Sequence, residues 1–194
     1  NADLEPALAA LRRGEAIGLP TETVYGLAAD ASRADAVRRI FALKGRPADH
    51  PLIVHIAGSD QLQHWARDIP DAAHALAAAF WPGPLTLILR RRPEVHDAVT
   101  GGQDTVGLRV PDNVIAAALL ADLGEPLMSL TLIMPGDEFP LIDPYDIRET
   151  LQHEVDLVID GGYCGLEPTT VVDLADETPV VMRVGKGDVA PFAG

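Results

Sequence analysis

Short, β-branched apolar runs alternate with segments of helical periodicity along the whole chain, and this alternation constrains the fold most. Strands are expected at 16–20, 52–57, 86–91, 106–110, 125–134, 155–160, 169–175 and 179–184. Helices are expected at 4–13, 33–44, 59–66, 70–80, 114–123 and 144–153. Interleaved helices and strands predict the α/β or α+β class with a large sheet. The chain has no internal repeat and no low-complexity linker, so we expect one domain over 1–194.

Composition narrows the class of protein. With 47% hydrophobic residues the chain is expected to be globular, and no stretch reaches the roughly 18 apolar residues of a membrane span. The first residues are acidic and amphipathic, unlike a signal peptide. A single cysteine, Cys164, excludes a disulfide framework and a Cys-rich zinc site. We therefore expect a cytoplasmic protein with no membrane contact.

Charge is distributed unevenly along the chain. Residues 1–112 carry 12 basic and 14 acidic side chains, whereas residues 113–194 carry 3 basic and 15 acidic ones. The formal net charge is -14, and such a field repels nucleic acid at long range. Any contact with RNA would therefore use the first half of the chain or a local basic patch.

The segment 20–27, Pro-Thr-Glu-Thr-Val-Tyr-Gly-Leu, follows an expected strand and is crowded with hydroxyl groups. Thr21, Thr23 and Tyr25 could bind polar groups of a ligand without adding charge. The alternative is a turn at the end of a strand, in which the side chains cap the backbone. The residues alone leave both interpretations open.

Basic residues are dispersed in a pattern that suits an anion. Lys44 and Arg46 flank a glycine at the end of an expected helix, where they could bind an anion or complement the helix C-terminus. His50 follows, as a ligand contact or a loop histidine, and lacks the partners of a metal site. Arg109 and Arg183 interrupt apolar strands, which requires an anion or a paired carboxylate.

Glycine-rich phosphate loops are absent from the sequence. It contains neither GxxxxGK[ST] nor GxGxxG, and it lacks the GxSxG elbow of hydrolases. A nucleotide would therefore be held by separated Lys and Arg side chains. From the residues alone, the chain is an α/β domain with an anion site.

Five motifs resemble those of the YrdC/TsaC/YciO family, and they run in order from near the N-terminus to the end of the chain. They are PTETVYGL (20–27), KGRPADHPL (44–52), WPGPLT (81–86), GLRVP (107–111) and TTVVDL…VMRVGKGDV (169–189). The resemblance implies a twisted, open mixed sheet with helices, curved around a deep basic cavity. TsaC-type members condense L-threonine, bicarbonate and ATP, with Mg²⁺, to threonylcarbamoyl-AMP and pyrophosphate. The product serves threonylcarbamoyladenosine modification of tRNA, with partner proteins.

The resemblance also implies roles for individual residues. Lys44 and Arg46 match the family's KxR pair, which contacts the ATP phosphates and the carboxylate of threonine. Thr23 and His50 match positions near the amino acid. The remaining candidates for substrate and nucleotide binding, from these motifs and from the stretch 129–136, are Thr21, Tyr25, Arg109, Ser129, Thr131, Thr170 and Arg183.

One departure from the TsaC pattern qualifies this function. The family's SxN signature is missing, because Thr131 stands at the serine position and Ile133 at the asparagine position. The second half of the chain is more similar to YciO and the first half to TsaC, with a junction at 107–113. This indicates an intermediate lineage or a chimera. The alternative function is a YciO-like protein with weak or no synthase activity, which binds nucleotide or, through Arg38, Arg39 and Arg90–Arg92, double-stranded RNA.

Overall fold

A computed structural model describes residues 4–44, 53–132, 140–151, 155, 157–165 and 167–188, with only the backbone of residues 43 and 44. Within them, nine strands form one sheet in the order β7-β1-β2-β6-β3-β5-β4-β8-β9. The strands are β1 (Ile17–Leu19), β2 (Gly26–Asp30), β3 (Ile53–His55), β4 (Leu85–Arg90), β5 (Thr105–Arg109), β6 (Leu127–Thr131), β7 (Leu157–Val158), β8 (Thr170–Asp173) and β9 (Val180–Arg183).

Seven α-helices connect these strands in the described residues. They are α1 (Glu5–Arg12), α2 (Ala34–Lys44), α3 (Leu62–Trp65), α4 (Asp71–Phe80), α5 (Asp97–Thr100), α6 (Val114–Leu123) and α7 (Pro144–Leu151), and a 3₁₀ turn at Ser59–Gln61 precedes α3. The longest, α2, has 11 residues. None in the described part of the chain has the length and apolar character needed to cross a membrane.

The sheet is mixed, as the alternation of elements predicts. Parallel pairs are β1–β7, β3–β5 and β4–β8, and the remaining neighbours are antiparallel. The expected α/β architecture with one large sheet is therefore confirmed.

One central strand is missing from the sequence-based expectation. β2 lies between β1 and β6, yet its sequence GLAAD has no β-branched residue and is not among the strands that the sequence predicts. All five of its residues are buried. Pairing and burial between β1 and β6 thus outweigh the low intrinsic strand propensity of this segment.

Alternation along the strands divides the apolar residues between two faces of the sheet. On one face, Leu27 and Met128 belong to a large cluster that includes residues of α2, α4, α5 and α7. On the other face, Ala28 and Leu127 pack with α1 and α6 in a smaller cluster. The helices α1 and α6, called here the α1/α6 cover, pack over β1, β2 and the start of β6. The rest of that face of the sheet carries polar residues.

Helix α6 begins and ends where the sequence predicts. The Asn113 Oδ1 accepts hydrogen bonds from the backbone N–H groups of Ile115 (2.9 Å) and Ala116 (3.1 Å). Gly124 follows the helix with φ +74°, a conformation that glycine adopts without strain. These two residues fix the length of the helix that packs against α1.

Removing the cap of α6 should destabilise the domain. We expect Asn113→Ala to lower the free energy of unfolding by about 1 kcal/mol, because two N–H groups lose their acceptor. Asn113→Asp keeps an acceptor and should be close to the unmodified protein. Urea unfolding of the three proteins measures the difference, and an equal loss in both variants would contradict the capping role.

Candidate functional site

A polar cavity lies where the α1/α6 cover ends on its face of the sheet. Leu127 is covered by these helices, whereas Ser129 and Thr131, on the same face of β6, line the cavity. The cavity has a volume of about 310 Å³ including its open mouth. Its polar lining residues are Thr21, Thr23, His55, Arg109, Ser129, Thr131, Thr169 and Arg183.

Strand register brings the central residues of the cavity together. His55 in β3 is paired with Arg109 in β5, and Ile53 with Ser129 in β6. Gly26 in β2 leaves room beside them, because a Cβ atom there would lie 2.2 Å from the Ser129 Oγ. The cavity therefore depends on an alignment of four neighbouring strands.

Arg109 is the most deeply buried cation of the described residues, with 2% of its surface exposed. Its Nη1 donates to the Thr23 Oγ1 (3.2 Å) and its Nη2 forms an ion pair with Glu22, whereas neither its Nε nor its Nη2 has a hydrogen-bond partner. Burial lowers the pKa of Arg109 to about 9, and the charge of Arg183 acts in the same direction while Asp112 opposes it. The guanidinium is thus still cationic at neutral pH, with donor capacity left for an anion.

Arg183 supplies a second cation from the edge strand β9. Its Nε donates to the Thr169 carbonyl (2.9 Å) and its Nη2 to the Thr169 Oγ1 (3.0 Å). Burial lowers the pKa of this group as well. The hydroxyl groups of Thr169 and Thr86 are 2.9 Å apart, which fixes Thr169 in turn. Two guanidinium groups therefore line one small cavity, which is an arrangement that binds anions.

The hydroxyl-rich segment combines both interpretations that the sequence leaves open. The Thr21 Oγ1 donates to the Val24 carbonyl (2.7 Å) and accepts from the backbone N–H groups of Thr23 and Val24, so it stabilises the turn. Thr23 contacts both Thr21 and Arg109. Thr21 therefore caps the backbone of the turn and also lines the cavity. Thr23 connects the Thr21 hydroxyl to the guanidinium group of Arg109.

Tyr25 and Thr170, both candidates from the sequence, do not line the cavity. The Tyr25 hydroxyl donates to the Gly162 carbonyl (2.6 Å) and accepts from the Gly161 N–H (3.1 Å), and burial raises its pKa to about 12. The Thr170 hydroxyl donates to the Gly187 carbonyl (2.8 Å). Both hold neighbouring segments in place around the site.

Four residues that the sequence singles out lie outside the described residues. They are Arg46, His50, Ile133 and, for its side chain, Lys44. Their roles therefore stay predictions. Within the described part of the chain, no three His, Cys, Asp or Glu side chains are grouped so that they could hold a metal ion.

The arginine-rich end of β4 carries its own counter-charges. Its three cations form ion pairs as follows: Arg90 with Asp104 and Asp176, Arg91 with Asp97, and Arg92 with Glu94. These carboxylates offset the positive charge that an RNA-binding surface would need.

His55 is a residue of the cavity that the sequence analysis missed. It is 3% exposed, its Nδ1 has no hydrogen-bond partner, and burial lowers its pKa to about 4. The imidazole is therefore neutral at pH 7. The signal was present in the sequence, since a histidine interrupts the apolar run LIVHIA at 52–57. Glu22 and Thr169 were missed as well, because only the fold brings them to the two arginines.

The buried His55 couples the stability of the domain to pH. Between pH 6.5 and about 4 the unfolded chain binds a proton at this residue and the folded chain does not. Stability should therefore fall as the pH falls through this range, by up to about 1.4 kcal/mol per pH unit. Urea unfolding at about pH 7 and about pH 5 measures the slope. His55→Asn should reduce that slope, and an unchanged slope would contradict the assignment.

Comparison with known sequences identifies relatives over nearly the whole chain. The Sua5/YciO/YrdC family model, described as telomere recombination, matches residues 9–185. The threonylcarbamoyl-AMP synthase of Pyrococcus abyssi is 43% identical over 177 residues, which are 90% of this chain and 52% of that protein. The uncharacterized protein YciO of Escherichia coli K12 is 39% identical over 190 residues, 97% of this chain and 92% of that protein. The chain thus spans about half of the former and nearly all of the latter.

Solved structures agree with the sequence relatives. P. abyssi Sua5 in complex with L-threonine superposes with a TM-score of 0.90 at 40% identity, covering 96% of this chain and 55% of that one. E. coli YciO superposes with a TM-score of 0.89 at 39% identity, covering 97% of this chain and 91% of that one. The family match over most of the sequence, together with these two folds, shows that the chain belongs to the Sua5/YciO/YrdC family.

Proposed function

We propose that this chain is a threonylcarbamoyl-AMP synthase-like nucleotidyltransferase, which joins L-threonine, bicarbonate and ATP and releases pyrophosphate. The observation that carries the proposal is the pair of guanidinium groups in the cavity, one with an Nε that lacks a partner. Relatives named threonylcarbamoyl-AMP synthase support it, as does the similar structure that holds L-threonine. The product would enter tRNA modification.

The charges of the cavity suit phosphoryl chemistry. When a carbamate oxygen attacks the α-phosphorus and pyrophosphate leaves, negative charge is spread over phosphate oxygens, and fixed cations stabilise it. Arg109 and Arg183 supply such cations, and Lys44 and Arg46 would add two more. Mg²⁺ would arrive with the nucleotide and neutralise further phosphate charge. No protein nucleophile is required for this reaction.

The amino acid needs a different partner from the phosphates. Guanidinium groups only donate hydrogen bonds, so they cannot accept one from the amino group of threonine. His55 is neutral, lines the cavity and has an Nδ1 without a partner. It is our candidate acceptor for that amino group, alongside Thr23 and His50, which the family resemblance places near the amino acid.

The reaction itself provides the direct test of the proposed function. Pyrophosphate release should require ATP, L-threonine and bicarbonate together and should fall to background when any one is omitted. Release that does not depend on threonine would exclude this synthase activity.

Substitution of Arg183 tests the role of the cavity. We expect Arg183→Gln to lower kcat/KM for ATP at least about tenfold, because a half-buried charge-assisted contact to phosphate is lost. Arg92→Gln removes the same charge from the surface and is the matched control, with little expected effect. Equal losses in the two variants would mean that bulk electrostatics, rather than the cavity, explains the activity.

A second function is favoured by one residue. Ile133 stands where the synthase signature has asparagine, so a donor and an acceptor for the nucleotide are missing. The near-full-length similarity to YciO agrees with this difference. The chain would then bind nucleotide, or double-stranded RNA, with weak or no synthesis.

Restoring the amide distinguishes the two functions. Ile133→Asn should tighten ATP binding by about two- to tenfold, because one hydrogen bond contributes roughly 0.5–1.5 kcal/mol. Ile133→Leu has nearly the shape of asparagine without its polar atoms and is the control. If both variants behave as the unmodified protein in ATP titration and pyrophosphate release, the missing amide is not the defect.

A further inference from the structure

Glu22 places a carboxylate next to the most deeply buried cation of the cavity. One carboxylate oxygen forms the ion pair with Arg109, and the other accepts a hydrogen bond from the Asp112 N–H. The backbone carbonyl of Glu22 accepts from the Lys186 Nζ at 2.7 Å. This residue therefore connects the turn before β2, the end of β5 and the C-terminal segment.

The contact between Glu22 and Arg109 also affects the balance of charge inside the cavity. Arg109 and Arg183 carry like charges that line the same small cavity, so they repel each other. Such a pair is unfavourable without a nearby anion. The Glu22 side chain is 16% exposed, and its carboxylate, in direct contact with Arg109, provides that anion from within the protein, while Asp112 adds a second negative charge nearby.

We infer that Glu22 is an internal counter-anion, which neutralises Arg109 in the ligand-free cavity and competes with the incoming polyanion for it. The inference rests on the proposed function only in that an anionic ligand enters this cavity. It implies that Glu22 stabilises the empty fold and weakens anion binding. A merely structural residue would affect stability and binding in the same direction, so the two roles are separable.

Glu22→Gln distinguishes the counter-anion role from a merely structural role. The amide keeps an acceptor for the Asp112 N–H and leaves the backbone contact to Lys186 intact. Calorimetric titration with inorganic pyrophosphate at low salt measures affinity. We expect about tenfold tighter binding than in the unmodified protein, because a negative charge has been removed beside the anion. This gain should shrink as salt is added.

Thermal melting with and without pyrophosphate provides the second readout. Without the anion, Glu22→Gln should melt at a lower temperature than the unmodified protein, because Arg109 has lost its counter-charge. Saturating pyrophosphate should remove most of that difference in melting temperature. Persistent loss of stability at saturating pyrophosphate, with no gain in affinity, would overturn the inference.

Glu94→Gln is the matched control. It makes the same change of charge in an ion pair with Arg92, where the Glu94 side chain is 70% exposed and outside the cavity lining. Its pyrophosphate affinity should stay within about twofold of the unmodified protein. An equal gain in both variants would mean that net charge alone is responsible, and the inference would fail.

A second variant covers the case in which Glu22→Gln does not fold. Glu22→Asp keeps the charge but withdraws it from Arg109 by one methylene group, so a smaller gain in pyrophosphate affinity is expected. Affinity at or below that of the unmodified protein would contradict the inference. The proposed function fails separately if pyrophosphate binds as expected but its release from ATP does not depend on threonine.

Discussion

The burial of a guanidinium group inside a β-sheet is the constraint on which the site depends. Arg109 lies opposite His55 on a strand between β3 and β4, and its charge must be met by groups that the fold brings to it. Thr23 and Glu22 come from one turn and Asp112 from the segment after β5, whereas Arg183, at the far edge of the sheet, adds a like charge. The cavity is therefore organised around this one charge.

The helical cover explains where that charge can be placed. α1 and α6 seal one end of their face of the sheet with alanine and leucine side chains, and beyond them the same face carries Ser129, Thr131 and His55. The opposite face is apolar along most of the sheet, because helices pack over it. A cavity on one face thus coexists with a continuous core on the other.

Sequence reasoning recovers what local patterns encode. The cap at Asn113, the stop at Gly124 and eight of the nine strands follow from periodicity and turn chemistry. It fails at β2, where the sequence GLAAD forms a fully buried strand although it has no β-branched residue. It also fails at Glu22 and His55, because their positions beside Arg109 depend on contacts between segments that are distant in the chain. Arg109 and Arg183 could be predicted because a charge in an apolar strand demands a partner.

The contact between Lys186 and the Glu22 carbonyl joins residues 164 positions apart. Closing a loop of that length has an entropic cost, which this contact and its neighbours offset in the folded domain. The enclosure of the cavity is therefore a property of the whole described domain and not of any one local segment.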